Sequence, residues 1–591
     1  MIQRHHAALA SAALLVAGCT LYADVPAPPP PAPPPVEPAL EPVLGPTTTL
    51  EEAPPPLSGG TLAVSAGGAF AVAADPDRAR VYAVDLGAAT SRAIPVAAAD
   101  EPGRVVFDGE ERAWVAMRRS GDVAEIDVRG ARIVRRIHTC AAPRSVAVDA
   151  AAGELWVACA EGSLRVFDRR TGILRRVVDG ADLDDLRDVA LGLNRVYVTR
   201  FRSAEMVTFG RDLVERGRSR SRAHRVAWRM RVRPRPTRGG DGVEETAPVP
   251  IMVAQETSDS PTDASYAGSE NGAPSPVIRG GIHVDGEHVA RIPEAVLPVD
   301  FDLDASWLAV VAAGNGHSPS RPAVLLVRSW LIAGSGLGTP PPRGVSLEGQ
   351  PVAVAFDRAG RLLVQSREPA ALLVVDPETT RVTGRITLAV DSREDTGWSL
   401  FHANPGSNLA CASCHPEGGD DGRVWDLAEG RLRTPSLRGT VRGTAPLHWR
   451  GELPTAASLV RDVFEHRMGG RALSDDELRA AARWVEAIPA PPPRRERETV
   501  PSRGREVFAA RCASCHSGAL LTNNRSVELS AQDGALQVPS LVGVGWRAPF
   551  RHDGCAQTLE ERFVDCRDPA HDVDVIGRPD LGALVGYLET L

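Results

Sequence analysis

Between residues 60 and 390 the chain alternates apolar and polar positions with a period of two, which is the pattern of β-strands. The apolar runs are short, and turns rich in Asp and Gly separate them. The clearest runs are 80–85, 112–116, 123–127, 154–159, 164–168, 195–198, 206–209, 361–364 and 371–376. The pattern predicts an all-β region over 60–390.

These runs recur at a fixed spacing. Asp168 follows Asp127 by 41 residues, and Asp376 follows Asp168 by 208 residues, close to five further units. A period of about 40 residues with several strands per unit is typical of a β-propeller, so we predict about seven blades. The fifth unit is irregular, because a stretch rich in Ser, Gly and Asp over 256–281 interrupts it. That stretch is either a long functional loop or a disordered excursion.

After residue 390 the pattern becomes helical and the sequence repeats itself. Two regions, 391–490 and 494–591, flank a Pro-rich break, and each opens with a short helical run and closes with a longer one. A capping box at 474–477 precedes the closing run of the first region. Two stretches match between the regions, 434–437 with 538–541 and 445–451 with 548–554. We therefore predict a multidomain chain in which two mainly α domains follow the propeller.

The pentapeptide Cys411-Ala412-Ser413-Cys414-His415 lies in the first region and recurs as Cys512-Ala513-Ser514-Cys515-His516 in the second. Cys-x-x-Cys-His is the signal for covalent attachment of a c-type haem. Its spacing lets two thiols bond one porphyrin while His415 or His516 ligates the iron. A zinc site would need four clustered ligands, and a redox Cys-x-x-Cys would need a strand–helix setting. Two identical copies favour two covalently bound c-type haems.

The N-terminus has the pattern of an export signal. Residues 1–18 carry a basic start and an apolar run that is too short for a permanent membrane span. Small residues before Cys19 resemble the lipobox of bacterial lipoproteins, which implies cleavage and lipidation at Cys19 and, by analogy, an outer-membrane lipoprotein facing the periplasm or the exterior. Ordinary secretion with an incidental Cys is the alternative. Residues 19–59 form a Pro-rich linker, predicted to be an extended spacer.

Composition and charge narrow the function classes. The chain has 591 residues and a net charge of -8, which argues against a nucleic-acid partner. Of nine Cys, four belong to the haem motifs and four form two local pairs, Cys140 with Cys159 and Cys555 with Cys566. An even remainder in an exported chain predicts two disulfides, with buried free thiols as the alternative.

The motif order after residue 391 resembles the di-haem cytochrome c peroxidase family, which includes the maturation enzyme of methylamine dehydrogenase. That order is the haem motif, Pro-Ser-Leu, Ala-Pro with a His and a closing Gly, and then a distal ligand. The resemblance implies two cytochrome c domains over 391–490 and 494–591. The propeller region lies outside it and resembles the YVTN/YncE-like seven-bladed propellers of exported bacterial proteins.

This family often takes an axial Met from a loop shortly after its His-and-Gly motif. Met468 follows Gly451 by 17 residues, and His571 follows Gly554 by 17 residues. The resemblance therefore implies a His415/Met468 haem and a His516/His571 haem, with a core Met and a surface His as alternatives. Thioether ligation raises the reduction potential and bis-imidazole ligation lowers it, which would direct the electron flow.

The resemblance also implies a role for Trp449. A Trp in the matching motif of the family lies between the two haems and relays electrons, whereas a packed core Trp is the alternative here. His448 and His552 are expected near the haems without ligating them. Arg450 departs from the family, in which an Asp is commoner.

We expect electron transfer at the cell envelope, with the propeller as a docking or binding platform and an unknown redox partner protein. The alternatives are a peroxidase that reduces hydrogen peroxide and a surface propeller that binds a partner and carries an accessory electron-transfer tail. The Arg-rich run 216–233 is either a solvated face or a docking patch. We interpret four scattered histidines as structural or solvated residues: His224, His283, His288 and His317.

Overall fold

A computed structural model describes residues 41–219, 225–239, 242–257, 268–270, 273–275, 277–330, 341–427, 430–495, 502–530, 533–569 and 571–591. The predicted signal peptide, the lipidation site Cys19, the first part of the Pro-rich linker and His224 lie outside the described residues. The described residues belong to one compact unit.

The period-two region folds as a seven-bladed β-propeller, which confirms the predicted fold of this region. Each blade is a four-stranded antiparallel sheet. Blades one to three contain β1 Leu62–Val64, β2 Phe70–Asp75, β3 Arg80–Asp85, β4 Thr90–Pro95, β5 Pro102–Phe107, β6 Arg112–Met117, β7 Asp122–Asp127, β8 Arg132–His138, β9 Pro143–Asp149, β10 Glu154–Cys159, β11 Ser163–Asp168 and β12 Leu174–Asp179. Blade four contains β13 Leu186–Leu191, β14 Arg195–Arg200, β15 Met206–Gly210 and β16 Glu215–Ser219.

The fifth blade is the irregular one, as predicted. Its sheet contains the strands β17 Arg225–Gly239, β18 Gly242–Thr257, β21 Ile278–Val284 and β22 Glu287–Ile292. Along the chain, a separate two-stranded hairpin of β19 Gly268–Glu270 and β20 Ala273–Ser275 comes between β18 and β21. Blades six and seven contain β23 Pro298–Leu303, β24 Trp307–Ala312, β25 Val324–Arg328, β26 Arg343–Val345, β27 Pro351–Phe356, β28 Leu362–Ser366, β29 Ala371–Asp376 and β30 Arg381–Thr387.

The ring closes through its inner strands, because β1 of the first blade lies against both β5 and β27. In blade six, every residue of the second strand, β24, is buried, and β24 pairs with β23 on one side and β25 on the other. Trp114, Trp156, Trp228 and Trp307 are fully buried between blades. Alternate side chains of a strand face opposite sides of its sheet, and each side of a blade packs against a neighbouring blade. This packing explains the alternation of apolar positions in the sequence.

Arginines of the run 216–233 are buried at some positions and exposed at others. Arg229 is buried and pairs with Asp188 of the fourth blade at 2.7 Å. Arg233 pairs with Asp302 of the sixth blade at 2.9 Å, and its side chain is 37% exposed. The interpretation as a solvated face is therefore wrong for Arg229, which joins the fifth blade to the fourth.

Residues 391–591 form two repeated halves. Their α-helices are α1 Thr396–His402, α2 Cys411–Cys414, α3 Ala456–Arg461, α4 Asp475–Ala487, α5 Ser502–Arg511, α6 Leu559–Val564, α7 Val573–Ile576 and α8 Arg578–Leu588. Each half also contains a β-hairpin, which the sequence did not predict: β31 Val424–Leu427 with β32 Gly430–Arg433, and β33 Ser526–Ser530 with β34 Gly534–Gln537. Short 3-10 helices cover Pro76–Arg78, Ala181–Leu183, Ala313–Asn315, Pro416–Gly418 and Val544–Trp546.

The two halves share one helix crossing. In the first, α1 packs on α4 at Gly397, where a Cβ would collide with the carbonyl oxygen of Ala480. In the second, α5 packs on α8 at Gly504, where a Cβ would collide with the carbonyl oxygen of Ala583. The opening and closing helical runs of the sequence are thus the elements that hold each half together.

Residues 41–57 of the predicted linker contact the first half closely. The indole Nε1 of Trp398 donates to the Pro55 carbonyl, and Nε1 of Trp484 donates to the Pro54 carbonyl, each at 3.0 Å. The Leu57 N–H donates to Nε2 of His402 at 3.2 Å. Because both indoles are buried, this part of the segment belongs to the folded body rather than to a free spacer.

We expect acid to weaken this contact through His402. Burial lowers the pKa of His402 to about 3, and its Nδ1 faces the Trp398 carbonyl at 2.8 Å, so Nε2 accepts the Leu57 N–H only while the ring is neutral. A His with a depressed pKa stabilises the fold above its unfolded pKa of about 6.5 and loses that contribution as the pH falls towards 3. Thermal unfolding of the wild type should show this loss, on the order of a few kcal/mol. The variant His402→Gln, which does not titrate, should show a flatter dependence between pH 6.5 and 3; an identical slope would contradict the assignment.

Both Cys pairs outside the haem motifs are joined as disulfides in the structure, Cys140 with Cys159 and Cys555 with Cys566. The first links the approach to β9 with the end of β10, and the second spans α6. Among the described residues, no helix has both the length and the apolar character needed to cross a bilayer.

Candidate functional site

The first Cys-x-x-Cys-His motif begins with α2 and ends at His415. Nδ1 of His415 lies 3.1 Å from the Gly419 carbonyl oxygen. A carbonyl only accepts, so the proton lies on Nδ1 and Nε2 keeps its lone pair. Histidines that bind metals typically donate their second ring nitrogen to an oxygen in this way. His415 is therefore oriented as a metal ligand.

Next to the motif lies an apolar cavity of about 300 Å³, within the range of small-molecule sites. Cys411, Cys414 and His415 line it, and so does Met468, which is distant in the sequence. Met468 is only 2% exposed, and its sulfur lies 4.0 Å from Sγ of Cys411. The structure thus brings together the two thiols and the two predicted ligands of the first site.

Met468 comes directly after an irregular helical turn. Helix α3 continues into a π-helical segment, Asp462–Arg467, and the Met468 N–H donates to the Val463 carbonyl at 2.8 Å. Single π-turns are rare and are frequent at functional sites, because they re-aim the residues that follow. The sequence contains no signal for this turn.

The second motif follows the end of α5, and His571 lies beside it. Nδ1 of His516 lies 3.2 Å from the Leu521 carbonyl oxygen, and Nδ1 of His571 lies 2.9 Å from a carboxylate oxygen of Asp568. The two ring centroids are 6.3 Å apart. Two imidazoles that bind one metal from opposite sides at about 2 Å hold their centroids roughly 6 Å apart. The separation of the two rings therefore equals the one expected for two imidazoles on one iron.

The thiols of the two motifs are partly exposed. Burial nevertheless raises the pKa of Cys411 to about 12 and that of Cys512 to about 11. Cys411 and Cys414 line the apolar cavity of the first half. A bound metal would lower the pKa of a thiol that ligates it, so these pKa values do not separate the alternatives for the motifs.

The repeated stretches 445–451 and 548–554 have the same local backbone. Isolated antiparallel bridges join Leu447 to Leu453 in the first and Phe550 to Ala556 in the second. His448 and Arg551, at equivalent positions, both have positive φ angles of 73° and 69°. The two halves are therefore internal structural repeats around both motifs.

Trp449 lies where the halves meet. It lines the first cavity, and its ring centroid is 6.2 Å from that of His552 in the second half. Its Nε1 donates to the Arg433 carbonyl at 2.9 Å, and the Arg433 N–H donates to the His552 carbonyl at 2.6 Å. Nδ1 of His448 lies 2.7 Å from Glu452, and Nε2 of His552 lies 3.2 Å from Asp533, so each of these rings faces a carboxylate.

Glu417, two residues after His415, is a functional candidate that the sequence did not reveal. Its carboxylate is 4% exposed and enters the propeller, where Arg118 and Arg144 pair with it at 2.6 and 2.7 Å. Arg187 pairs with the same carboxylate, and the Ser58 hydroxyl donates to it at 2.6 Å. Burial alone would raise the pKa of Glu417, but the three guanidinium charges outweigh burial and hold that pKa well below its usual value.

Comparisons with known proteins leave the family open. No protein-family model and no curated protein matches the chain. Among solved structures, a chain described as Kuenenia stuttgartiensis hydrazine synthase is similar at 14% identity, with an alignment that covers 59% of this chain and 99% of that chain and a TM-score of 0.42. Similarity at this level carries no argument about function, which therefore depends on the geometry of the site.

Proposed function

We propose that the chain is a di-haem c-type cytochrome that transfers electrons at the cell envelope. One observation carries the proposal: each Cys-x-x-Cys-His motif lies beside a second ligand-type side chain from a distant segment, Met468 for the first and His571 for the second. Covalent haem, when bound, supplies one-electron chemistry at its iron. The anchoring at Cys19 that the sequence predicts belongs to the same proposal.

The two predicted ligand sets would give the two haems different reduction potentials. His415 with Met468 would favour the reduced state, because a thioether stabilises ferrous iron. His516 with His571 would favour the oxidised state, and Asp568 beside Nδ1 of His571 adds negative charge that strengthens the imidazole as a donor. Two sites of unequal potential in adjoining halves give electron transfer a direction, with Trp449 and His552 between them.

The proposed role of the propeller is to hold the first site rigidly and to offer a docking platform. Glu417 ties the loop after the first motif to the second, third and fourth blades through Arg118, Arg144 and Arg187. One apolar cluster also continues from Trp228 of the propeller to Trp398 and Phe401 of the first half. Rigid supports of this kind lower the reorganisation that accompanies electron transfer.

The test is a haem count on the protein exported from cells that attach c-type haem. Mass spectrometry should show two covalent haems per chain, and low-temperature EPR of the oxidised protein should show two low-spin signals with different ligand sets. The variants Cys411→Ala/Cys414→Ala and Cys512→Ala/Cys515→Ala should each lose one haem. A chain that leaves the same cells folded and without haem would overturn the proposal.

Peroxide reduction is the second candidate, and one pair of residues favours it. His448 and Glu452 both line the first cavity and contact each other at 2.7 Å, so an acid–base pair lies near the predicted first haem. Rapid mixing of the reduced protein with hydrogen peroxide separates the two functions. Fast turnover that falls in the His448→Ala variant would favour the peroxidase, whereas slow, unselective oxidation would favour the carrier.

A further inference from the structure

Three metal-ligating side chains converge in the fifth blade, away from both haem motifs in the sequence. Glu256 lies near the end of β18, His283 on β21 and His288 on β22. One carboxylate oxygen of Glu256 is 3.1 Å from Nε2 of His283 and 3.0 Å from Nδ1 of His288. Ligand atoms of all three residues lie within 4.8 Å of one another. His283 and His288, which look scattered in the sequence, are therefore neighbours in the fold.

The sheet is built to allow this convergence. Glu256 pairs in register with Arg279, four residues before His283, so its side chain must run along β21 to reach the imidazole. Gly281 lies between them and leaves the space that the carboxylate occupies. A Cβ at Gly281 would come within 2.8 Å of Cδ of Glu256. His283 and His288 are partners across the strands, on the same face as Gly281.

The distances agree with cation coordination. Neighbouring ligands at about 2.1 Å from a first-row transition metal lie roughly 3 Å apart, as the two carboxylate–imidazole contacts do. Two imidazoles and one carboxylate are a common ligand set for zinc and for non-haem ferrous iron, and they leave further coordination positions open. His283 is fully buried and Glu256 is 8% exposed, whereas the side chain of His288 is 31% exposed and gives an ion access from solvent.

We propose that Glu256, His283 and His288 bind a divalent transition-metal cation of the Zn²⁺ class on the fifth blade. The proposal does not depend on the haem sites. The competing arrangement is a carboxylate that only accepts hydrogen bonds from two imidazoles.

The probe is Zn²⁺ added to the full-length protein after removal of loosely bound metal with a chelator. Isothermal titration should resolve one Zn²⁺ per chain in the wild type that binds at this site. In His288→Ala and in Glu256→Gln, binding of that Zn²⁺ should be at least tenfold weaker, so that the measured stoichiometry falls by one per chain. The matched control is His138→Ala, since His138 is an exposed histidine that faces Asp122 at 3.2 Å in the second blade. That control should keep the wild-type stoichiometry.

X-ray absorption at the zinc edge should then show two imidazole ligands in the wild type. His288 is exposed, so its replacement leaves the fold intact, and far-UV circular dichroism checks this. Equal Zn²⁺ stoichiometry and affinity in the wild type and in His288→Ala would overturn the proposal, and so would a wild type that binds no Zn²⁺ at a concentration of about 100 μM.

Discussion

The variant Glu417→Ala is expected to be about 3–5 kcal/mol less stable than the wild type, because it leaves Arg144 and Arg187 without their buried counter-ion and Arg118 with Glu101 alone. Arg118 and Arg187 are nearly inaccessible to water, so neither can recover its hydration when the carboxylate is removed. Glu417→Gln keeps the shape and loses only the charge, so its loss should be smaller and of the same sign. Urea unfolding followed by Trp fluorescence measures the difference.

A surface carboxylate provides the matched control for this prediction. Glu111 pairs with Arg129 at 2.6 Å, and its side chain is 46% exposed. Water screens such a pair, so Glu111→Ala should cost less than about 1 kcal/mol. Equal effects of the two substitutions would show that burial of Glu417 does not determine its contribution.

The variant Met468→Ala is expected to alter one haem and leave the other unchanged, if the proposed function holds. The oxidised wild type should show a weak long-wavelength charge-transfer band from thioether-ligated iron, and the variant should lose it. The reduction potential of that haem should fall by a sizeable part of the roughly 0.8 V range that axial ligands span. Spectroelectrochemistry resolves the two haems and measures each potential.

Met117→Leu is the control, because Met117 is a fully buried methionine of the second blade. Its band and both potentials should equal those of the wild type. Met468→His should give two bis-imidazole haems with similar potentials. A wild type that lacks the charge-transfer band, or a Met468→Ala variant that keeps it, would contradict Met468 as the ligand.

Glu417 and the cluster of Glu256, His283 and His288 show what sequence patterns miss. Glu417 follows the haem motif directly, yet nothing in its neighbours indicates that three blades contribute its counter-ions. His283 and His288 flank a short turn, and that spacing could have suggested a hairpin pair, but Glu256 comes from a strand that precedes a long insertion. Side chains that meet only after a sheet has formed leave no periodic trace in the sequence.

In the Pro-rich segment and the Arg-rich run, composition alone predicted exposure to solvent where the fold supplies a partner. Prolines at 54–56 predicted an extended spacer, but the carbonyls of Pro54 and Pro55 accept hydrogen bonds from two buried indoles. The run that contains Arg229 was interpreted as a solvated face or a docking patch, because the charge partner of Arg229, Asp188, is remote in the sequence. Whether a polar residue faces water or a partner depends on what the fold places against it.

The sequence by itself determined the features that local chemistry controls. Strand alternation and a period near 41 residues reveal the seven blades, because each blade repeats the same burial pattern along the chain. The two Cys-x-x-Cys-His motifs could also be recognised from the sequence, because the residues that would attach one porphyrin are close together in the chain. The matching 17-residue offsets pointed to Met468 and His571, and the tertiary structure showed that both side chains lie beside the motifs. Tertiary structure alone decided the surroundings of Glu417 in the propeller and the meeting of Glu256 with two histidines. These contacts depend on how blades and helices pack, which no short stretch of the chain encodes.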